Sequence, residues 1–199
     1  LLGFIAACYL AVVMMFIVHA ILLIVSGHHP LHYFKTVWPV LTFAFVSRSS
    51  AASIPLAITA QEKFGVPNTI ANIAASFGSS MGQNGCAGIY PAIMVAMIAP
   101  TLGIDPLSFS FLASLLPAIA LGSIGVAGVG GGGTFAALIV LSTLNFPVAL
   151  VGIFIAIEPI VDMARTALNV NGSMISGVLA SRLLKHQSAK AHHIASISE

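Results

Sequence analysis

Glu158-Pro-Ile-Val-Asp162-Met-Ala-Arg165-Thr166-Ala-Leu-Asn169-Val-Asn-Gly-Ser173 sets two acids, an arginine, an asparagine and a serine into a long apolar run. Counted from Glu158, these five polar positions fall at i, i+4, i+7, i+11 and i+15. At about 100° per residue they share roughly 80° of arc, one face of a helix. Ile160, Val161, Ala164, Leu168 and Met174 take the other face. Charges in an apolar helix are costly in a bilayer, so they normally face protein or a water-filled cavity and mark a substrate or ion path. A second reading is an Asp162–Arg165 ion pair that only holds helices together. Asn169 and Ser173 extend the stripe beyond what such a pair needs.

The rest of the chain fits a bilayer. Of 199 residues, 58% are hydrophobic and only 6% charged, with a mean hydropathy of +1.06. Soluble domains carry about 25% charged residues, so an integral membrane protein is expected. A net charge of +2 and the lack of a basic patch interleaved with aromatics argue against a nucleic-acid partner. The N-terminal stretch has neither a charged leader nor a small-residue cleavage site, so it does not read as a signal peptide. The chain is expected to be the C-terminal part of a longer protein. Cys8 and Cys86 lie far apart in apolar segments and suggest no disulfide framework.

Segment 1–26 reads as a spanning helix, ended by Ser26-Gly-His-His-Pro30. The histidines at 28, 29 and 32 read as loop side chains rather than metal ligands. Within 34–65, two apolar stretches too short to span flank Ser47-Arg48-Ser49-Ser50. That pattern predicts a re-entrant hairpin with a polar tip, or else one span kinked at Pro39 or Pro55. Segment 69–102 exceeds one span and is interrupted by Gly78-Ser-Ser80-Met-Gly82-Gln-Asn84-Gly-Cys86, poor helix chemistry. It predicts a discontinuous helix whose unwound backbone lines a cavity. Segment 107–145 repeats the hairpin pattern around Gly122-Ser123-Ile124-Gly-Val126-Ala-Gly128-Val129-Gly130-Gly-Gly-Gly133. Segment 147–185 is the stripe-bearing transmembrane helix, and 186–199 a polar tail.

Hairpin plus spanning helix therefore occurs twice, over 34–102 and 107–184. Paired interrupted segments in corresponding positions are the sequence sign of a transporter site at a repeat interface. Lys35, Lys63, Arg182, Lys185 and Lys190 fall on the side of the tail, while the loops near 100–106 and 144–148 hold no Lys or Arg. By the positive-inside rule the C-terminus is cytoplasmic. The two hairpins then open to opposite sides.

Gly128-x-Gly130-x-x-Gly133 formally fits a dinucleotide fingerprint, but that motif needs a strand before it and an acid about 20 residues on. Here the glycines read as close backbone approach to a ligand and a hinge for a lid, or as close helix packing. No nucleophile with its base, no metal-ligand spacing and no P-loop is visible, so an enzyme is not expected and no cofactor is implied. Asn171-Gly-Ser173 matches a glycosylation sequon inside the last helix and reads as accidental. His19 reads as a packing residue or a proton relay. A zwitterionic substrate needs an acceptor for its ammonium and donors for its carboxylate. Asp162 can supply the first. Arg165 can clamp a carboxylate bidentately, and backbone N–H groups at Ser49, Ser50 and the 128–133 glycines can add donors. Asn169 can bridge substrate and ion.

Ser47-Arg-Ser-Ser-Ala-Ala-Ser-Ile-Pro55, the break around Gln83-Asn-Gly-Cys86, the 125–133 tip and Asp162-Met-Ala-Arg165-Thr166-x-x-Asn169-Val together resemble the dicarboxylate/amino acid:cation symporters, the glutamate-transporter homologues. The resemblance implies an all-α membrane fold, the C-terminal transport domain of a family built as trimers on an N-terminal scaffold. It places substrate contacts on Ser50, Cys86, Val129, Gly133, Asp162, Arg165, Thr166 and Asn169, with Arg48 at the arginine of the first hairpin. It places sodium positions on Gly78, Ser80, Gly82, Asn84, Ser123, Ile124, Val126, Asn169 and Ser173. Two acids of the family pattern are replaced here, by Asn84 within Gly82-Gln-Asn84-Gly-Cys86 and by Ser173. The coupling cation is therefore expected to be Na⁺ or H⁺, with Glu158 or Asp162 as candidate proton carrier. The Met-Gly-Gln-Asn-Gly-Cys-Ala-Gly motif, the Glu158-Pro159 pair and the proline-free glycine tip look most like the bacterial L-cystine uptake symporters. Ala51, Ala52, Gly82, Gly130 and Gly132 would leave room for so bulky a substrate. The implied function is elevator-type symport of an amino acid across the bacterial plasma membrane. Alternatives are a C4-dicarboxylate, glutamate or neutral amino acid as substrate, or a channel-like or structural subunit.

Overall fold

The computed structural model describes residues 1–126 and 128–197, with side chains as far as 185. Every regular element among them is helical. Helix α1, Leu2–Val25, is apolar but for His19, with a mean hydropathy of 2.8 in an 18-residue window. At about 1.5 Å per residue it is long enough to cross a hydrocarbon core. Leu10, Met14, Ile17, Ile21 and Ile24 lie exposed along it.

Helix α2, Pro30–Ser47, opens on a proline, whose missing N–H is harmless in a first turn. It ends where Arg48 turns left-handed, at φ 54°. Helix α3, Ile54–Lys63, then packs back against α2. The break thus lies at Arg48. Pro39 is inside α2 and Pro55 in the first turn of α3, so neither proline marks a single kinked span.

The long segment after it is discontinuous. Helix α4, Asn68–Gly78, stops in an irregular stretch with Gly82 at φ 75°. A π-helical turn over Asn84–Ile89 leads into α5, Tyr90–Ile98. Single π turns within helices commonly attend functional sites. Helices α6, Phe109–Gly122, and α7, Gly132–Thr143, repeat the helix–break–helix pattern.

The final segment departs from expectation. Residues 147–185 were expected as one helix, but α8, Val151–Ile155, ends before α9, Glu158–Ile197, begins. The cause is Pro159, whose ring excludes a helical carbonyl four residues back, at Ile155. Glu158 consequently sits in the first turn of α9, where the helix dipole favours an acid. Helix α9 also continues into the expected tail; side chains from 186 onward and residues 198–199 lie outside the described residues.

Among the described residues, two large apolar cores and two small clusters result. One joins Phe4 and Cys8 of α1 to Tyr90, Met94, Phe111, Leu115, Leu141, Phe154 and Val161. The other joins Leu23 to Tyr33, Val37, Leu41, Ala57, Ala71, Val170 and Met174. Helices α1 and α9 run through both, and on α9 the residues from Asp162 to Asn169 fall between them. The polar stripe is thus set at the seam of two cores, where both helix breaks meet it.

Candidate functional site

The seam is built around Arg165, fully buried on α9. Its Nη2 donates to Glu158 Oε1 at 3.2 Å and to Asp162 Oδ1 at 3.4 Å, and its Nε donates to the Val161 carbonyl at 3.3 Å. The guanidinium lies 4.0 Å from the centroid of the Tyr90 ring, a cation–π contact. Its Nη1 is buried with no hydrogen-bond partner. That orphaned donor lies against Gly133, where any Cβ would overlap the guanidinium. An unpaired buried donor is costly, so Nη1 is the atom best placed to receive a ligand carboxylate.

Asp162 is the hub. Besides Arg165, its Oδ1 accepts from Thr166 Oγ1 at 3.4 Å and from the Cys86 thiol at 3.6 Å. Its Oδ2 accepts from Arg48 Nε at 3.1 Å. The Asp162–Arg165 pair lies within one helix and so cannot tie two helices together. The bridge between helices is Arg48–Asp162, from the first break to α9. With both acids ionised, the charges of Arg48, Arg165, Glu158 and Asp162 sum to zero.

One turn further on, Asn169 holds the unwound segment. Its Oδ1 accepts from the Gly85 backbone N–H at 2.8 Å, while its Nδ2 donates to Gln83 Oε1 at 3.2 Å and to Cys86 Sγ at 3.1 Å. Gln83 donates in turn to the Ser79 carbonyl. The two breaks also touch each other. Ala51 N–H and the Ser49 hydroxyl both donate to the Gly128 carbonyl, at 2.9 and 3.3 Å, and Gly130 lies beside the Arg48 guanidinium. Ser50 is buried at the same tip.

Not every expected residue joins the cluster. Val129 and Gly130 lie exposed on the second tip. Of the expected cation positions, Ser80, Gly82 and Ile124 lie exposed, Val126 is buried, and the Ser123 hydroxyl donates to the Ala120 carbonyl at 2.7 Å. Gly78 packs directly on Ser173, whose hydroxyl donates to the Val170 carbonyl at 2.8 Å. Asn84 Oδ1 is a buried oxygen without a partner. A buried acceptor of that kind, beside the unwound backbone, suits a hard cation. No group of three or more His, Cys, Asp or Glu side chains with metal-site geometry occurs among the described residues.

Three participants escaped the sequence reading. Tyr90, the lone aromatic of 78–108, sits one turn after Cys86, a spacing that could have flagged it. Gln83 stands in the sequence only as part of a motif, and the Gly128 carbonyl acts through the backbone, which carries no side-chain signal. Asn171, in the sequon, is fully buried and holds Tyr33 and His19, at 3.0 and 2.9 Å, as packing partners of α9.

The profile of the Sodium:dicarboxylate symporter family matches residues 1–183. The chain belongs to that family. It is 58% identical over 183 residues to the L-cystine uptake protein TcyP of Bacillus cereus, covering 92% of this chain and 39% of the relative. The TcyP of Bacillus licheniformis is 58% identical over 180 residues, covering 90% of this chain and 39% of the relative. An uncharacterized symporter of Haemophilus influenzae is 57% identical over 183 residues, covering 92% of this chain and 42% of the relative. The chain spans about two-fifths of the length of these relatives. The Sodium:dicarboxylate symporter family is one of transporters, not enzymes.

Proposed function

We propose that this chain is the transport domain of a bacterial plasma-membrane symporter that imports an amino acid, with L-cystine as its substrate. The observation that carries the reading is the charge-balanced cluster of buried Glu158, Asp162 and Arg165 with the half-buried Arg48, topped by two helix breaks joined through the Gly128 carbonyl. A balanced cluster accepts a net-neutral ligand without leaving a buried charge uncompensated, whereas a dicarboxylate would add two negative charges to it. The relatives named for L-cystine uptake support the same choice over a C4-dicarboxylate or glutamate.

In this reading one substrate ammonium takes Asp162 and the carboxylate beside it takes Arg165 Nη1. Displaced from Asp162, Arg48 meets the distal carboxylate of cystine. Thr166, Asn169, Cys86, Ser50 and the 128–133 backbone frame the ligand. The two breaks act as re-entrant tips of an inverted repeat, opening to opposite sides of the membrane. The domain moves past a separate scaffold as an elevator, in a homotrimer with the C-terminus cytoplasmic. The coupling cation is Na⁺, held near Gly78, Asn84, Asn169 and Ser173, or H⁺, carried by Glu158. Uptake of labelled L-cystine into proteoliposomes under separately imposed Na⁺ and H⁺ gradients tests the substrate and the coupling cation. Saturable uptake under one gradient is expected, and no uptake under either would defeat the assignment. Loss of uptake in Arg165→Ala is expected, and wild-type uptake in that variant would remove the clamp.

A further inference from the structure

About thirty ångströms along α9 from Asp162, at 1.5 Å per residue, the helix carries a second charged site, apart from the Asp162–Arg165 cluster. A cleft of about 300 Å³ opens between the loop after α1, the turn after α3 and the Val178–Lys185 stretch of α9, with His28, Phe64, Val66, Ser181, Arg182 and Lys185 at its walls. Its floor is apolar, from Phe64, Val66 and Val178. Its rim is cationic.

Neither Arg182 nor Lys185 has an acidic partner among the described residues. The neighbouring acid of α3, Glu62, accepts instead from Asn68 Nδ2 at 2.6 Å. The Arg182 guanidinium lies against Gly27, where φ is +69° and any Cβ would overlap it, so the loop is shaped to admit that side chain. His28 stacks on Phe64 at 5.6 Å between ring centroids, on the wall of the cleft. Burial and the nearby Arg182 lower the pKa of His28, against a backbone hydrogen bond to Ser26 that raises it, with Lys185 a smaller lowering influence. The two cations therefore line one cleft, beside the His28 imidazole.

We infer that this cleft is a binding site for a phosphate group, held by Arg182 and Lys185 with His28 as the third polar contact. A guanidinium matches phosphate geometry in a two-pronged contact, and an ammonium adds a point charge. The cleft stands where several helices end together, and basic clefts between helices on a cytoplasmic face accept anionic lipid head groups. A head group or a free phosphate offers the same oxygens, and the experiment separates them.

The purified protein in phosphatidylcholine nanodiscs carrying a minority of phosphatidylglycerol would be examined by native mass spectrometry for retained lipid. In parallel, inorganic phosphate would be titrated into detergent-solubilised protein by calorimetry. The Arg182→Gln/Lys185→Gln pair is expected to weaken binding about tenfold or more, and Arg182→Lys/Lys185→Arg to keep it. Retained phosphatidylglycerol that phosphate does not displace identifies a bilayer lipid; displacement identifies a free phosphate. Lys185→Gln alone changes an exposed position and guards against a folding defect in the pair, with a loss of a few-fold expected. Equal retention and equal phosphate affinity in wild type and in both glutamine variants would overturn the site.

Discussion

A single methyl group at Gly133 would meet the Arg165 guanidinium, since a Cβ there overlaps Nη1. Arg165 cannot retreat, because the Tyr90 ring lies 4.0 Å to one side and Glu158 and Asp162 hold its Nη2. Gly133→Ala is expected to weaken substrate binding at least tenfold, about 1.4 kcal/mol, read by scintillation proximity binding of labelled cystine, and to cost about 1 to 3 kcal/mol of stability from the overlap. Arg165→Gln should instead destabilise the fold by about 3 to 5 kcal/mol, the usual cost of leaving a buried charge without its partner. Of the two acids, Glu158 suffers most, because Asp162 retains Arg48. Adding Glu158→Gln to Arg165→Gln should therefore recover part of the lost melting temperature, a coupling that a double-mutant cycle measures. Additive losses would show that the two side chains do not form one ionic unit.

Among the elements, patterns of side chains were more legible than events of the backbone. The spacing of Asp162, Arg165, Asn169 and Ser173 placed them on one helix face, and the Ser-rich and Gly-rich interruptions placed breaks where α2 and α6 end. Hidden were the left-handed turn at Arg48 and the π-helical turn at Asn84–Ile89, because both are settled by tertiary contacts such as Asn169 to the Gly85 N–H. Pro159 was visible, yet the length of the apolar run argued for one helix, and the steric rule at Ile155 prevailed. The cation route is the element-scale question. A carboxylate at 173 would stand one turn after Asn169, against Gly78 and near the partnerless Asn84 Oδ1. Ser173→Asp is expected to lower the Na⁺ concentration for half-maximal uptake several-fold, since a charged oxygen outbinds a hydroxyl for a hard cation. An unchanged Na⁺ dependence would take the 78–84–173 region off the ion path.

For the whole molecule, the decisive arrangement is that one largely buried cluster is covered by two helix breaks that also touch each other. Alternating access requires those breaks to be reached from opposite sides of the membrane, as an inverted repeat would provide. The sides can be assigned by labelling. Cys8 and Cys86 are both buried, so background reaction with a membrane-impermeant maleimide should be low. Ser47 and Val129 are exposed at the first and second breaks. Ser47→Cys should react only from the side of the C-terminal tail, and Val129→Cys only from the other. Substrate should slow both reactions, because in the proposed pose the ligand between Asp162 and Arg165 engages Arg48 and the Gly133 backbone at the two breaks. Labelling of both positions from one side would make the repeat parallel rather than inverted. The charge-balanced cluster would then have a single entrance, and the same residues would describe a binding vestibule instead of a carrier.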